Sequence, residues 1–316
     1  MDIPNEAHAL SGQEVSIHLT AIITLLLSQI AVVLLFGFAL WRKRYLSFAQ
    51  RLPLYLAMGD FFEQLIHLID HFITLTTGKV PNGCVAVAAS YQYGVLISQL
   101  SVTVMAVTIY MSVCHNRTLD FGRYDWKMLC ILFLTPLVIT GIGLGLGVLG
   151  DAGAWCWMSF NGPFGVIAAS IFGLVTSFSV LFVVVYCYLN TFFKMRQASN
   201  RLLKVSDYMG SSKGAVHDEK IGKSRKFDIN DRKKTRAIHI IMSYVLVYIV
   251  QWTPFMVAYT YQFFAKTPYI INLLIVLLFN ASGLLNFGVF MLRSEVGGNQ
   301  TKKSGYSQQQ SDSNAA

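Results

Sequence analysis

Residues 60–71 read DFFEQLIHLIDH, and the fold depends on whether this stretch crosses a membrane. It lies inside an apolar run at 52–77 but contains five acidic or imidazole side chains: Asp60, Glu63, His67, Asp70 and His71. Six other apolar runs have no such interruption; they cover residues 17–41, 85–114, 126–149, 162–190, 237–264 and 269–291. An α-helix needs about 20 apolar residues to cross the hydrocarbon core of a bilayer. The chain therefore has either six or seven membrane spans.

The composition agrees with a membrane protein and argues against a soluble domain. Of the 316 residues, 54% are hydrophobic and 13% are charged, and this charged share is about half of that in an ordinary soluble domain. The formal net charge of +9 comes from Lys and Arg clustered between the apolar runs, which is the pattern that sets membrane topology. We therefore expect an all-α membrane protein with lipid contacts and no nucleic-acid partner.

The distribution of Lys and Arg decides between six and seven spans, because basic residues accumulate on the cytoplasmic side. With seven spans and the N-terminus outside, 23 of the 25 basic residues lie inside, and only Lys79 and Lys266 lie outside. The best six-span arrangement leaves 19 inside and 6 outside. We predict a seven-transmembrane-helix bundle at 17–292 with a cytoplasmic loop at 191–235, an extracellular N-terminus at 1–16 and a short, disordered cytoplasmic tail at 293–316.

The polar residues of the second span form one stripe if that span is helical. At about 100° per residue, Asp60, His67 and His71 lie within roughly 40° of one another, and Glu63 and Asp70 flank them. The stripe must face the bundle interior, since a charge facing lipid costs several kcal/mol. Asp60 is expected near the membrane midplane, and His67, Asp70 and His71 are expected in the outer half. The outer residues either line a ligand pocket or only satisfy one another.

Two of the five cysteines, Cys84 and Cys156, fall on the predicted outer side of the membrane. Disulfides persist in that oxidising environment, so we expect the two to pair and to hold the long outer loop against the start of the third span. The alternative is two free thiols. A metal site is disfavoured because neither cysteine has a CxxC or histidine partner.

Seven spans, an outer N-terminus and a disulfide from the third span to the second outer loop resemble the G protein-coupled receptor superfamily over residues 17–293. The details look less like its rhodopsin-type class. Residues 110–117 contain no Asp/Glu-Arg-Tyr triplet, and residues 282–290 contain no Asn-Pro-x-x-Tyr motif.

Two short patterns look more like another class of the superfamily. The Cys156-Trp157 pair and the Gly283-x-x-Asn286 pattern are similar to the cAMP-receptor-like class of slime moulds and fungi and, more distantly, to secretin-type receptors. The resemblance implies a receptor that performs no chemistry of its own, so we expect no cofactor, no metal and no enzyme activity.

The resemblance also assigns roles to the sixth span. In this superfamily the inner half of that helix swings outward, and Trp252-x-Pro254 looks like the pivot; the alternative is a static proline kink. Asp60 and Asn286 would form a polar network that rearranges on activation, and together with Trp252 and Pro254 they are the candidate residues for activation. The candidate ligand-binding residues are His67, Asp70, His71, Tyr91, Gln99, Trp252 and Tyr259.

The predicted inner surface is basic at the ends of the fifth and sixth spans. The candidate residues for contact with a heterotrimeric G protein are Lys194, Arg196, Arg232, Lys233, Lys234 and Arg236. Membrane topology and attraction to anionic lipid account for part of this charge.

The sequence thus predicts a plasma-membrane G protein-coupled receptor that senses a nucleotide-, sugar- or nutrient-like extracellular molecule. One alternative is a seven-helix intramembrane zinc hydrolase, since His67 and His71 have the i, i+4 spacing that zinc sites use; His8 or His18 would have to supply a third ligand. Another alternative is a transporter, although no inverted repeat is evident. A retinal protein is disfavoured because residues 269–291 contain no lysine.

Overall fold

The structure of the protein, a computed structural model, describes a bundle of helices. The described residues are 10–41, 48–152, 155–159, 167, 171–211, 238–239, 241–257, 260–261 and 268–292. The helices are α1 (Gly12–Trp41), α2 (Phe48–Thr77), α3 (Cys84–Cys114), α4 (Trp126–Gly145), α5 (Thr176–Ser211), α6 (Ile241–Val257) and α7, which has two parts, Tyr269–Asn280 and Ser282–Leu292. Helix α3 is central, because it contacts α2, α4 and α5.

Most of these helices have the length and hydropathy of membrane spans. Among the described residues, α1, α3, α4 and α5 each qualify alone, and the two parts of α7, bent by 46°, make a fifth span if they are counted as one. Helix α2 has 30 residues, so its length suffices although its acids lower its hydropathy. The described part of α6 is apolar but shorter. The predicted seven-helix membrane bundle is confirmed; the side on which each terminus lies stays a prediction.

A short β-hairpin between α4 and α5 departs from the all-α prediction. The apolar run predicted to reach residue 149 ends as a helix at Gly145, and Gly147 then adopts a left-handed turn conformation with φ 62°. Strand β1 (Leu149–Asp151) follows and pairs antiparallel with β2 (Cys156–Met158). Both strands pack on α3.

The seventh and fifth spans also differ from uniform helices. Ala281 interrupts α7, which was predicted as one run. Helix α5 begins at Thr176 after a π-helical turn at Ile171–Val175, and it continues to Ser211. It therefore extends well into the loop predicted at 191–235.

Glycines allow the helices of the bundle to approach closely. A Cβ at Gly94 of α3 would lie 2.9 Å from the Cα and backbone nitrogen of Glu63 in α2. A Cβ at Gly283 of α7 would lie 2.8 Å from the backbone oxygen of Ser28 in α1. Side chains larger than hydrogen do not fit at these two crossings, which is the small-residue packing common between membrane helices.

An ion pair fixes the connection between α3 and α4. Arg51 donates from Nε and Nη2 to the two carboxylate oxygens of Asp125, at 2.7 and 3.0 Å, and the Tyr55 hydroxyl donates to the same carboxylate at 3.1 Å. This pair lies at the end of the bundle opposite the hairpin. We call the hairpin side the disulfide end and the other side the Arg51 end.

Candidate functional site

The polar stripe of α2 is buried, as its spacing predicted. Asp60, Glu63, His67, Asp70 and His71 each expose at most 6% of their surface. The exposed face of α2 is instead apolar, with Phe62, Ile69 and Phe72 among its larger side chains. The stripe therefore faces the bundle interior, where each polar group needs a protein partner or water.

Asp60 contacts two neighbouring helices. Its Oδ1 accepts a hydrogen bond from the Ser98 hydroxyl of α3 at 3.0 Å, and its Oδ2 accepts one from Nδ2 of Asn286 in α7 at 2.8 Å. The sequence pointed to the pair of Asp60 and Asn286, whereas the contact with Ser98 is seen only in the structure. The role of this group in activation remains a prediction.

A polar cavity lies beside Asp60. It has a volume of about 20 Å³, enough for about one water molecule. We call it the Asp60 cavity; its lining comprises Leu56, Asp60, Glu63, Ser98, Val102, Tyr244, Tyr248, Gln251, Trp252, Phe279, Ser282 and Asn286. The Tyr244 and Tyr248 hydroxyls and Nε2 of Gln251 have no protein hydrogen-bond partner. Water in the cavity could satisfy these groups.

Further hydrogen bonds join α2 to α7 on the disulfide side of Asp60. The Gln64 side-chain nitrogen donates to the Ser282 hydroxyl, and Nδ1 of His67 lies 3.2 Å from Oδ1 of Asn280. With the bond between Asp60 and Asn286, three successive turns of α2 contact α7. We call these three contacts the α2–α7 ladder. The break in α7 at Ala281 lies within it.

Histidines from two helices meet at the disulfide end. Nδ1 of His71 lies 2.7 Å from Nδ1 of His18 in α1, and the ring centroids of His71 and His67 are 4.3 Å apart. One nitrogen of the 2.7 Å pair must carry the proton and the other must accept it. No group of three metal-binding side chains that could hold an ion occurs in the part of the chain that the structure describes.

The hairpin is fixed to the bundle by three bonds. The predicted disulfide between Cys84 and Cys156 is present, with the two Cα atoms 5.3 Å apart. The backbone nitrogen of Cys156 donates to Oδ2 of Asp70 at 2.8 Å, and the Trp157 indole donates to the side-chain oxygen of Gln92 at 2.6 Å. Asp70 therefore anchors the hairpin through one carboxylate oxygen.

A second cavity lies under the hairpin and is almost wholly apolar. It is lined by His67, Tyr91, Trp155, Trp157, Phe255, Ile275, Val276, Phe279 and Asn280. Its volume is about 20 Å³, so in this conformation it is too small for a ligand larger than water. We call it the aromatic cavity. It and the Asp60 cavity share one lining residue, Phe279.

The predicted ligand-binding residues are divided among several positions. His67 and Tyr91 line the aromatic cavity, Trp252 lines the Asp60 cavity, and Gln99 donates from Nε2 to the Ser177 hydroxyl at 3.3 Å. Asp70 and His71 line neither cavity. Pro254 is partly buried within α6.

Several predicted residues lie outside the described part of the chain, and others were missed. Tyr259, Arg232, Lys233, Lys234 and Arg236 are outside it, whereas Lys194 and Arg196 are exposed on α5. The residues that sequence reasoning missed are Gln64, Gln92, Asn280 and Ser282, and His18 was considered only as a possible zinc ligand. Gln64 carried a signal, because it continues the helical spacing of the stripe; nothing local marked Gln92, Asn280 or Ser282.

Comparison with known proteins identifies the family. Residues 30–286 match the family described as 7 transmembrane receptor (rhodopsin family), and the chain belongs to this family of G protein-coupled receptors. The solved structure of squid rhodopsin matches with a TM-score of 0.66 and 14% identity, over 92% of this chain and 85% of that one. At this identity the likeness shows the fold alone. No curated protein matches the sequence significantly.

The family match corrects part of the sequence interpretation. The absence of two short motifs had separated the chain from the rhodopsin type, but the family match extends over most of the chain, while those motifs occupy only a few residues. The resemblance to the cAMP-receptor-like class is not confirmed. The chain is a multi-pass membrane receptor and not an enzyme, since the rhodopsin family consists of receptors, and the hydrolase alternative is not favoured.

Proposed function

We propose that the protein is a plasma-membrane receptor that binds an extracellular small molecule at the disulfide end and activates a heterotrimeric G protein at the Arg51 end. The observation that carries this proposal is the α2–α7 ladder. It runs from His67, beside the aromatic cavity, to Asp60 and Asn286, beside the Asp60 cavity. A change in one cavity is therefore linked to the other by direct contacts.

The disulfide supports the assignment of the outer face. Cys84 and Cys156 lie at the same end as the aromatic cavity, and a disulfide is stable in an extracellular environment. Lys194 and Arg196, which lie on α5 on the side of Ser177 toward the Arg51 end, are basic residues that fit a cytoplasmic face. Both the disulfide at one end and the basic residues toward the other fit seven spans with the N-terminus outside and the C-terminus inside.

A chain of aromatic contacts provides a second link between the cavities. The ring centroid of Trp157 in the hairpin lies 5.0 Å from that of Phe255, and Phe255 lies 5.5 Å from Trp252. Trp252 also lies 5.0 Å from Phe279, which borders both cavities. A ligand that moves the hairpin would therefore displace Trp252, the proposed pivot of α6.

Ligand binding favours activation only if the ligand binds the active arrangement more tightly than the resting one. In our proposal, the active arrangement opens the Arg51 end between α5 and α6. Lys194 and Arg196, together with Arg232, Lys233, Lys234 and Arg236, would then attract an acidic surface of the G protein and accelerate its association. The ligand classes considered are nucleotide-, sugar- and nutrient-like molecules, as the resemblance to cAMP-receptor-like proteins implies.

Reconstitution tests this function directly. The full chain in lipid nanodiscs is mixed with heterotrimeric G protein, and nucleotide exchange on Gα is measured with a panel of nucleotides, sugars and amino acids. We expect exchange above that of empty nanodiscs and a further increase with at least one compound. Exchange no faster than with empty nanodiscs under every condition, with correctly inserted protein, would contradict the proposal.

A charge variant tests the proposed coupling surface. Changing Arg232, Lys233, Lys234 and Arg236 to Gln should slow exchange by roughly tenfold, because electrostatic steering accelerates association by at least that factor. Changing Lys302 and Lys303 of the tail to Gln is the matched control and should have little effect. Equal rates for the two variants would assign the first cluster to topology and lipid contact.

A further inference from the structure

We propose that the ligand is a neutral, largely apolar ring compound with one hydroxyl-type group, which hydrogen-bonds to His67 and Asn280 in the aromatic cavity. This inference rests on the proposed receptor function and, among the ligand classes proposed above, retains only nutrient-like molecules that are neutral and mostly apolar. The site is defined by the walls of the cavity, by two unpartnered polar groups in its lining and by the Trp155 ring that covers it.

The walls of the cavity select an uncharged ligand. Seven of the nine lining residues are aromatic or aliphatic, and no Lys, Arg, Asp or Glu is among the described lining residues. Aromatic rings of Tyr91, Trp157 and Phe255 surround the space, with the Tyr91 and Trp157 centroids 5.6 Å apart and those of Trp157 and Phe255 5.0 Å apart. Rings at such spacings pack well against another ring.

The remaining lining residues, His67 and Asn280, supply one donor and one acceptor. Their mutual contact joins Nδ1 of His67 to Oδ1 of Asn280, and Nε2 of His67 and Nδ2 of Asn280 are both buried without a partner. Since an amide oxygen only accepts, Nδ1 donates and Nε2 is left as an acceptor, while Nδ2 is a free donor. A ligand hydroxyl can donate to the first and accept from the second.

This complementarity holds in both orientations of the Asn280 amide. If the amide is reversed, its nitrogen donates to Nδ1 of His67. Nε2 then carries the proton and becomes the free donor, and the amide oxygen becomes the free acceptor. One donor and one acceptor remain in either case. A carboxylate can only accept and an ammonium can only donate, so neither fits both groups.

A charged ligand would also be buried without a counter-ion. Asp70, the acid of the stripe at the disulfide end, accepts from the Cys156 backbone and does not line the cavity. Burying an unpaired charge is strongly unfavourable. Among the ligand classes proposed above, nucleotides with ionised phosphates and amino acids with charged termini are therefore disfavoured at this site.

Trp155 lines the cavity, and rotation of its side chain is the way in which space for a ligand ring would form. Its ring centroid lies 6.2 Å from those of His67 and His71, both in edge contacts. Trp155 is only partly buried, in contrast to Trp157 with 4% exposure. Because its side chain lies at the rim of the hairpin, an outward rotation would leave room for a ring of similar size. The ligand would thus replace the protein's own indole.

Four probes of similar size, with seven to nine non-hydrogen atoms each, separate the contribution of the polar group to binding. Benzyl alcohol, toluene, benzylammonium and benzoate differ only in the substituent of the ring. Binding to the full chain in nanodiscs is measured by saturation-transfer NMR without G protein, and free concentrations are corrected for partitioning into empty nanodiscs. We expect benzyl alcohol to bind about tenfold more tightly than toluene, since two neutral hydrogen bonds have roughly this effect. Both ions should bind at least about a hundredfold more weakly than the alcohol.

Substitutions in and near the aromatic cavity show whether the probes bind there. Asn280→Ala should remove most of the preference for the alcohol over toluene and retain toluene binding. Asn272→Ala is the matched control, because it changes the same residue type about two turns away on α7 and lines neither cavity. Trp155→Ala should increase the affinity for benzyl alcohol and toluene alike, since it removes the ring that the ligand must displace.

The outcomes distinguish the ligand class from the receptor function. Tightest binding of benzoate or benzylammonium would overturn the proposed ligand class, and so would an alcohol preference that Asn280→Ala leaves intact. If no probe binds either the wild type or Trp155→Ala, the aromatic cavity is not the ligand site. None of these results depends on G protein, so the exchange assay described above would still decide the receptor function by itself.

Discussion

The two cavities have the same volume and nearly opposite linings. The Asp60 cavity holds two carboxyl groups and several polar side chains, and its central acid already has two donors. The aromatic cavity holds rings and aliphatic groups, and its two polar residues each have a polar atom without a partner. The first is polar and suits water, which its unpartnered tyrosine and glutamine groups require, whereas the second is mostly apolar and suits a ring with one polar group. In our proposal, recognition and internal rearrangement therefore use separate positions along α2 and α7.

The largest expected effect comes from breaking the disulfide, which holds the hairpin whose Trp155 and Trp157 line the aromatic cavity and not the Asp60 cavity. Cys84→Ser should lower the free energy of unfolding by about 2–4 kcal/mol, because the bond closes a long loop. Chemical denaturation in detergent micelles, followed by tryptophan fluorescence, measures the change. Cys130→Ser is the control, since Cys130 is a free, exposed cysteine on α4. Equal losses for the two variants would mean that the hairpin is held by its other contacts.

Both cavities are lined by residues of α2 and α3, and the close crossing of these two helices should give the next largest effect. Gly94→Ala pushes the backbone of α3 against Glu63 of α2, and such overpacking costs about 1–3 kcal/mol. Gly288→Ala is the matched control, because a Cβ there meets nothing within 4 Å. The same denaturation measurement applies. An unchanged Gly94→Ala protein would show that α2 and α3 can separate without loss of stability, and the cavities would then be less fixed than the contact implies.

Two asparagines of α7 should separate the roles of the cavities. Asn286→Ala leaves Oδ2 of Asp60 without its donor, a loss of about 1–3 kcal/mol for a buried group. We expect it to reduce G protein activation while the affinity for benzyl alcohol changes less, although reciprocal coupling allows some loss of affinity. Asn280→Ala should instead reduce the affinity for benzyl alcohol more than it reduces G protein activation. If both variants reduce affinity and activation by equal factors, the cavities act as one site.

The smallest expected effect lies outside both cavities. Arg51→Lys keeps the positive charge but loses the two-pronged contact with Asp125, and we expect a stability loss of about 0.5 kcal/mol because Arg51 is partly exposed. Lys127→Arg, a change in the reverse direction next to the pair, serves as the control. Measurements at low and high salt should show that the difference shrinks as salt rises. A loss as large as that of Gly94→Ala would show that the Arg51 end is held mainly by this pair.

The sequence predicted features that follow from the bilayer and from helical periodicity. The distribution of Lys and Arg identified α2 as a membrane span despite its acidic residues. This was possible because basic residues accumulate on the cytoplasmic side of a membrane protein whatever its fold. The spacing of Asp60, His67 and His71 predicted a buried stripe, and the common side of Cys84 and Cys156 predicted their disulfide. Each of these inferences uses only the geometry of a single helix or the side of the membrane on which a residue lies, and none requires contacts between distant segments.

The sequence did not predict features that depend on contacts between distant segments. Strands of three residues have too few positions for an alternating pattern, so the hairpin was missed. Asn280 gains its position from the interruption of α7 and from His67, and neither is visible in its neighbourhood. The same holds for Gln92, whose partner Trp157 belongs to that hairpin.

Helix α5 is long enough that a small tilt at one of its ends produces a large displacement at the other. Its 36 residues correspond to a rod of about 54 Å, whereas the hydrocarbon core is about 30 Å thick. The rod therefore projects far beyond the membrane at the Arg51 end. Its other end lies near the hydrogen bond between Gln99 and Ser177. A tilt of about 5° at that bond would swing the distant tip by roughly 4 Å, so a displacement too small to alter the packing around Ser177 could still move whatever rests against the tip.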